Sequence, residues 1–187
     1  QAPNKYLSPL PRARPKRHLR QVSDLWPKAG TILLAERMWL KTQRLVALRL
    51  DEPVLSNVWW SFSFGKDIAM ENADKVLVLW LNCTLGLLIY LATRDETRGA
   101  WVDFKKPSLG AMPVLDVRAL TEKQIKALAA AYDRLSNKTL KPLPDMAKDK
   151  MRAAIDSALA DALGLPDFSV LRTLLAREPV VCMKGLA

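Results

Sequence analysis

The run from Lys75 to Thr93, KVLVLWLNCTLGLLIYLAT, constrains the fold more than any other part of this chain. A near-continuous block of Leu, Val, Ile and Trp is driven out of water and ends inside a protein core or inside a bilayer. Its apolar part, Val76 to Leu91, includes Asn82, Thr84 and Gly86 and falls short of the roughly 20 apolar residues that a spanning helix needs. The segment therefore reads as one helix buried on most sides of a folded domain, with a strand pair as the alternative. With 50% of its 187 residues hydrophobic, the chain can build one good core around that helix and a small second subdomain.

Short apolar runs precede the helix, at Thr31 to Leu34, Arg44 to Leu50 and Val54 to Phe64, separated by charged or Pro-containing breaks, and they read as strands. In the last, Val58, Trp60, Phe62 and Phe64 alternate with Asn57, Trp59, Ser61 and Ser63, the period of a sheet with one buried face, which places Trp59 on the more polar side. Arg94 to Lys106 reads as a charged loop, and Val114 to Val117 as its return to the core. The C-terminal third is helical by its punctuation. Thr121 and Gln124 form a capping box ahead of a face made by Ile125, Leu128, Ala129, Tyr132 and Leu135, with Asn137 as the stop. A second helix runs from Asp145 to Gly164, with Met151, Ile155, Leu159 and Ala162 on one side. A third runs from Asp167 to Ala176, using Phe168, Leu171, Leu174 and Leu175, until Pro179 closes it.

The formal net charge of +10 is unevenly placed: residues 1–50 hold 11 Lys/Arg against only Asp24 and Glu36, whereas residues 51–136 hold 10 against 11. Such a basic field draws polyanions by counterion release and long-range steering, which favours nucleic acid over an acidic small molecule as partner. Pro3, Pro9, Pro11, Pro15 and Pro27 punctuate the same stretch, so residues 1–29 read as an extended basic arm that lies along phosphates or as a solvated linker. A start at Gln1 inside such a stretch suggests a piece of a larger protein. Cys83 and Cys182 have neither the number nor the spacing of a disulfide framework or a zinc site, and a reducing cytoplasm is the expected location.

Catalytic signals are missing from the sequence. The only histidine, His18, sits in the basic arm, which excludes histidine triads and multi-histidine metal sites within this chain. Its seven glycines are not spaced as a phosphate-cradling loop, and carboxylate pairs such as Asp51 with Glu52 or Asp95 with Glu96 flank turns. The positive signals are basic and aromatic. Arg37, Lys41 and Arg44 lie around an expected turn with Trp39 between them, and Arg94, Arg98, Trp101, Lys105 and Lys106 recur after the buried helix. Arginine and lysine neutralise phosphates or bond guanine edges, and an exposed tryptophan stacks on bases. Ordinary surface charges around core tryptophans are the alternative.

Two segments carry a family resemblance: LWLNCTLGLL at Leu79 to Leu88, then TRGAWVDFKKPSLGAMPVLDV at Thr97 to Val117. Their order resembles the target-recognition region of adenine-N6 DNA methyltransferases of restriction and phage-defence systems. There a helix bearing an LNS-like tripeptide precedes a variable loop, a basic residue and a closing strand. Leu81, Asn82 and Cys83 stand at the tripeptide, with cysteine in place of the usual serine; Lys105 and Lys106 stand at the basic step; Leu109, Met112, Pro113 and Val114 stand at the closing strand. The resemblance spans residues 30–120. It implies that another domain of the parent binds S-adenosylmethionine and transfers the methyl group, that this chain holds no catalytic residue, cofactor or metal, and that its partners are double-stranded DNA and a methyltransferase catalytic domain or chain. Asn82 is then structural, because a polar side chain in a buried helix needs a hydrogen-bond partner and a neighbouring backbone supplies one.

These readings combine into an α+β expectation: a small, mostly antiparallel sheet packed on a buried helix in residues 30–120, then a helical subdomain in residues 121–187, with no membrane segment. The expected DNA contacts are Arg12, Arg14, Lys16, Arg17 and Arg20 on phosphates, Arg37, Lys41 and Arg44 around the turn, and Arg98, Trp101, Lys105 and Lys106 nearer the bases. The alternative is a protein-assembly module that docks on a catalytic domain or partner subunit, whose sign would be an exposed apolar patch.

Overall fold

The computed structural model describes residues 22–65, 71–95 and 101–182. The fold is mixed α+β, with small antiparallel sheets packed against helices. After a single helical turn, α1 (Val22–Leu25), the chain enters β1 (Gly30–Ala35), whose Ile32 to Ala35 are all buried. This strand is the centre of a three-stranded antiparallel sheet ordered β3-β1-β4, with β3 (Ala47–Val54) on one edge and β4 (Trp59–Phe62) on the other. Leu34 faces Ala47 on one side and Trp60 on the other. Gly30 opens the strand where β4 passes closest: a Cβ there would lie 2.3 Å from the Phe62 carbonyl oxygen, so only glycine fits.

The expected single strand from Val54 to Phe64 is two elements. Val54 pairs with Gly30 at the end of β3, whereas Trp59 to Phe62 pair with β1 from its opposite edge, and the exposed Leu55 to Val58 carry the chain across. Alternation along the sequence does not report such a crossing. Trp59 and Trp60 both pack against the core, so the two faces of β4 differ less than their residue types suggest. A second, two-stranded sheet pairs β2 (Arg37–Trp39) with β5 (Trp101–Asp103). From the sequence both read as turn or loop, because three residues are too few to show a period.

The long apolar run folds as two helices rather than one, α2 (Ala73–Leu81) and α3 (Thr84–Ala92), bent by 71° at Asn82 and Cys83. The corner has a physical cause. The Cys83 side chain caps α3 by accepting from the Gly86 amide, and Gly86 lies so close to α2 that a Cβ would sit 2.1 Å from the Trp80 carbonyl oxygen. Among the described residues no single helix is long and apolar enough to cross a membrane, and the two bent helices contribute Val76 to Leu81, Leu87, Tyr90 and Leu91 to the core.

Beyond β5, the expected closing strand is absent: Leu109 lies within a short helix, α4 (Lys106–Gly110), Val114 is exposed, and Val117 enters the core from a 3-10 turn. The capping box at Thr121 starts α5 (Glu122–Leu135) as expected. The next helix, α6 (Lys150–Leu163), begins later than Asp145, because Pro144 sits in a 3-10 turn and Asp149 supplies the cap, accepting from the Met151 and Arg152 amides. Gly164 ends it in the left-handed region at φ 65°. In α7 (Ser169–Arg177) Leu175 is buried while Leu174 is exposed, contrary to the expected face, and Pro179 opens a last turn, α8 (Pro179–Cys182). One hydrophobic cluster runs from Ile32 to Val181, with α5 and α6 packed on α2.

Candidate nucleic-acid interface

The β2–β5 ribbon shows two different faces. Met38 and Val102, opposite each other at the middle of the ladder, are buried, whereas the pairs on either side, Arg37 with Asp103 and Trp39 with Trp101, point the other way. Two tryptophans directly across an antiparallel ladder meet: their ring centroids lie 5.1 Å apart at 66°, edge to face, with Trp39 40% and Trp101 46% exposed. Such a pair stabilises by about 0.5–1.5 kcal/mol, yet it leaves much indole surface in water. Arg37 is held in plane by Asp103, Nε donating to Oδ1 at 2.6 Å and Nη2 to Oδ2 at 3.1 Å, and that bond holds its pKa above the ordinary guanidinium value.

This ribbon is fixed to the body of the protein. The Phe104 amide donates to the Glu36 carbonyl at 2.8 Å, Trp60 Nε1 donates to the Phe104 carbonyl at 3.1 Å, and the Phe104 ring stacks on Tyr90 at 4.0 Å. Tyr90 in turn donates its hydroxyl to the Ala35 carbonyl, and burial pushes its phenol pKa up. Exposed rings on so anchored a ribbon are preorganised for contact.

Of the expected DNA contacts, Arg12, Arg14, Lys16, Arg17, Arg20 and Arg98 lie outside the described residues. The others spread around the ribbon. Lys41 sits in the exposed turn that leaves its tryptophan end, where the Thr42 and Gln43 amides both donate to the Trp39 carbonyl. Lys105 and Lys106 follow β5 at the opposite end; the Lys105 amide donates to Asp95 at 3.0 Å, with its ammonium 3.7 Å from the same carboxylate, and Lys106 is exposed in the first turn of α4. Arg44 is exposed beyond the end of β2, donating to the Leu140 carbonyl at 2.9 Å. Trp39, noted in the sequence only as lying between cations, is the residue that the ladder brings to Trp101.

A second polar cluster is closed to solvent, at the α2–α3 corner. Asn82 Oδ1 accepts from the Val46 amide at 2.8 Å and the Ala47 amide at 3.3 Å, while its Nδ2 donates to the Ala47 and Val78 carbonyls at 2.8 and 3.0 Å. The side chain completes the edge of β3 and ties it to α2, which is the structural role expected for it. Buried Arg152 donates to the Asn82 and Arg44 carbonyls, and buried Asp156 accepts from the Thr84 amide and hydroxyl and from Arg172. These contacts end on the protein itself and tie the corner together, while Arg152 Nε and Arg172 Nε are buried without a partner among the described residues. Sequence reasoning identified Asn82 but missed Arg152, Asp156 and Arg172, whose helix positions look like ordinary surface charges until their neighbours are known.

Compared with models of protein families, with curated proteins and with solved structures, the chain finds no match.

Proposed function

We propose that this chain is the DNA-binding, target-recognition part of a larger adenine-N6 DNA methyltransferase, with S-adenosylmethionine and the transfer chemistry held by a separate catalytic domain or chain. The observation that carries the reading is the anchored ribbon with Trp39 and Trp101 exposed between Lys41 at one end and Lys105 and Lys106 at the other. Two-stranded ribbons fit the major groove of duplex DNA, lysines at their ends meet phosphates, and exposed indoles stack on a base that is unpaired or flipped out of the duplex at about 1–3 kcal/mol each. The methyltransferase assignment is supported by the resemblance at Leu81 to Cys83 and Lys105 to Val114. The test is duplex binding by the full chain across a salt series, beside a Trp39→Ala/Trp101→Ala variant. Binding with a steep salt slope that the variant weakens at every salt concentration is expected; no binding by the wild-type chain at low salt rejects the DNA reading. Selection from a random duplex pool then tests target recognition, with an enriched adenine-containing motif expected and an unenriched pool against it.

A second reading, a module that assembles with the catalytic part, is favoured by one observation. Val170 and Leu174 on α7 are 69% and 59% exposed, and Leu174 borders a groove of about 240 Å³ formed with Leu88, Leu91, Leu171 and Val180. Apolar surface of this kind on a folded body marks contact surfaces. Both readings hold together if α7 faces the catalytic part and the ribbon faces DNA. A Leu174→Asp variant that still binds duplex but no longer associates with the catalytic part is the outcome they jointly require.

A further inference from the structure

We infer that the phosphate-gripping surface extends beyond the ribbon into the segment between α5 and α6, where Lys138 and Lys141 join Lys41 and Arg44 to hold the DNA backbone beside the bases that the ribbon reads. The inference rests on the DNA reading and adds a binding surface to it. Residues 40–46 and 137–143 are far apart in the sequence, and together they contain four cations and no carboxylate. The structure stitches them side by side. Arg44 Nη1 donates to the Leu140 carbonyl and the Leu143 amide to the Gln43 carbonyl, each at 2.9 Å, and Arg152 reaches up from α6 to the Arg44 carbonyl.

The buried Leu140 and Leu143 anchor the segment, which leaves Lys138 and Lys141 on its exposed side; Lys138 borders a groove shared with Leu45 and Leu140. Of the acids that follow Lys141, the exposed Asp145 forms no ion pair with a described residue, and Asp149 is 3% exposed with its oxygens occupied by the Lys141, Met151 and Arg152 amides. Among the described residues no carboxylate forms an ion pair with Lys41, Arg44, Lys138 or Lys141. Because Lys41 stands two residues from Trp39, this cationic surface begins at the tryptophan end of the ribbon. Stacking rings beside a row of unneutralised cations are the complement of bases and their phosphodiester backbone.

The experiment compares three full-length chains on one random-sequence duplex across a salt series: wild type, Lys138→Gln/Lys141→Gln, and Lys123→Gln/Lys126→Gln on the exposed side of α5 as a charge-matched control. All four lysines are exposed, and among the described residues only Lys126 of the four has an ion pair, with Glu122 on the surface of α5, so thermal unfolding should change little. Loss of two phosphate contacts should flatten the slope of log affinity against log salt by about 2 in the first variant, with little change in the control. An unchanged slope in the Lys138/Lys141 variant, or an equal drop in both variants, overturns the inference while leaving the ribbon reading in place. Failure of the wild-type chain to bind the duplex at all overturns the DNA reading, and this surface with it.

Discussion

The α2–α3 corner and the β2–β5 ribbon draw on the same kinds of residue, arginines, aspartates and polar groups among large apolar side chains, and use them in opposite ways. At the corner, Asn82, Arg152, Asp156 and Arg172 are buried and their bonds end on backbone or on each other. On the ribbon, Arg37 and Asp103 satisfy each other at the surface, while Trp39 and Trp101 expose apolar rings that a stability-driven design would bury. Buried polar groups are costly unless paired, and the pairing at the corner, incomplete only at Arg152 Nε and Arg172 Nε among the described residues, makes it a structural network. Burial gives no such account of the second, whose rings stay 40% and 46% exposed.

That contrast can be broken by substitution, and the largest effect is expected at Asp156. Asp156→Leu removes the acceptor for the Thr84 amide and leaves Arg172 buried without its counter-charge, which should cost about 3–5 kcal/mol; a denaturant midpoint close to wild type would show the network to be dispensable. Asn82→Ala strands the Val46 amide and the Ala47 carbonyl inside the protein and should cost about 2–4 kcal/mol, with duplex affinity unchanged wherever the variant remains folded. If affinity fell while stability held, Asn82 would belong to the interface.

A smaller effect needs no substitution. Burial pushes the Cys83 thiol up from 9.0 to about 12. Below the ordinary value both folded and unfolded chains keep the proton, so Cys83 contributes no pH dependence near neutrality. As pH rises above it, the unfolded chain releases the proton and the folded one does not, so stability is lost progressively toward pH 12. At neutral pH an alkylating reagent should label the partly exposed Cys182 and spare Cys83; equal labelling in native conditions would mean that the corner opens readily.

The smallest stability effect is expected on the ribbon. Trp39→Ala should change unfolding free energy by about 1 kcal/mol, the scale of one exposed aromatic pair, while weakening binding to a duplex with an unpaired or flipped-out base by about 1–3 kcal/mol. A Trp39→Ala protein that unfolds much earlier than wild type would place the tryptophan pair among the structural elements and remove the main support for the interface.

Much of the architecture is legible in the sequence because it is written in local chemistry. The Thr121 and Gln124 capping box and Gly164 as the stop of α6 act through contacts within a few residues of themselves, and the spacing of Ile125 and Leu128 marks the buried side of α5 before its partners are known. The run from Lys75 to Thr93 was legible as buried but not as bent, because the bend depends on Gly86 approaching Trp80 and on Asp156 and Arg152 arriving from a helix about seventy residues later. Three-residue strands are equally invisible: nothing local distinguishes Arg37 to Trp39 from a turn until Trp101 to Asp103 lies beside it.

By itself, then, the sequence determined an α+β chain with a central apolar segment, a capped helical C-terminal third, a basic N-terminal quarter and a buried Asn82 in need of backbone partners. Only the tertiary structure decided which charges are consumed and which are offered. It closed Arg152, Asp156 and Arg172 into the core, paired Arg37 with Asp103, and set Lys138 and Lys141 beside Lys41 and Arg44. The physical reason is that the free energy of a charged or aromatic side chain depends on what surrounds it, and those surroundings are assembled from segments that the linear order keeps apart.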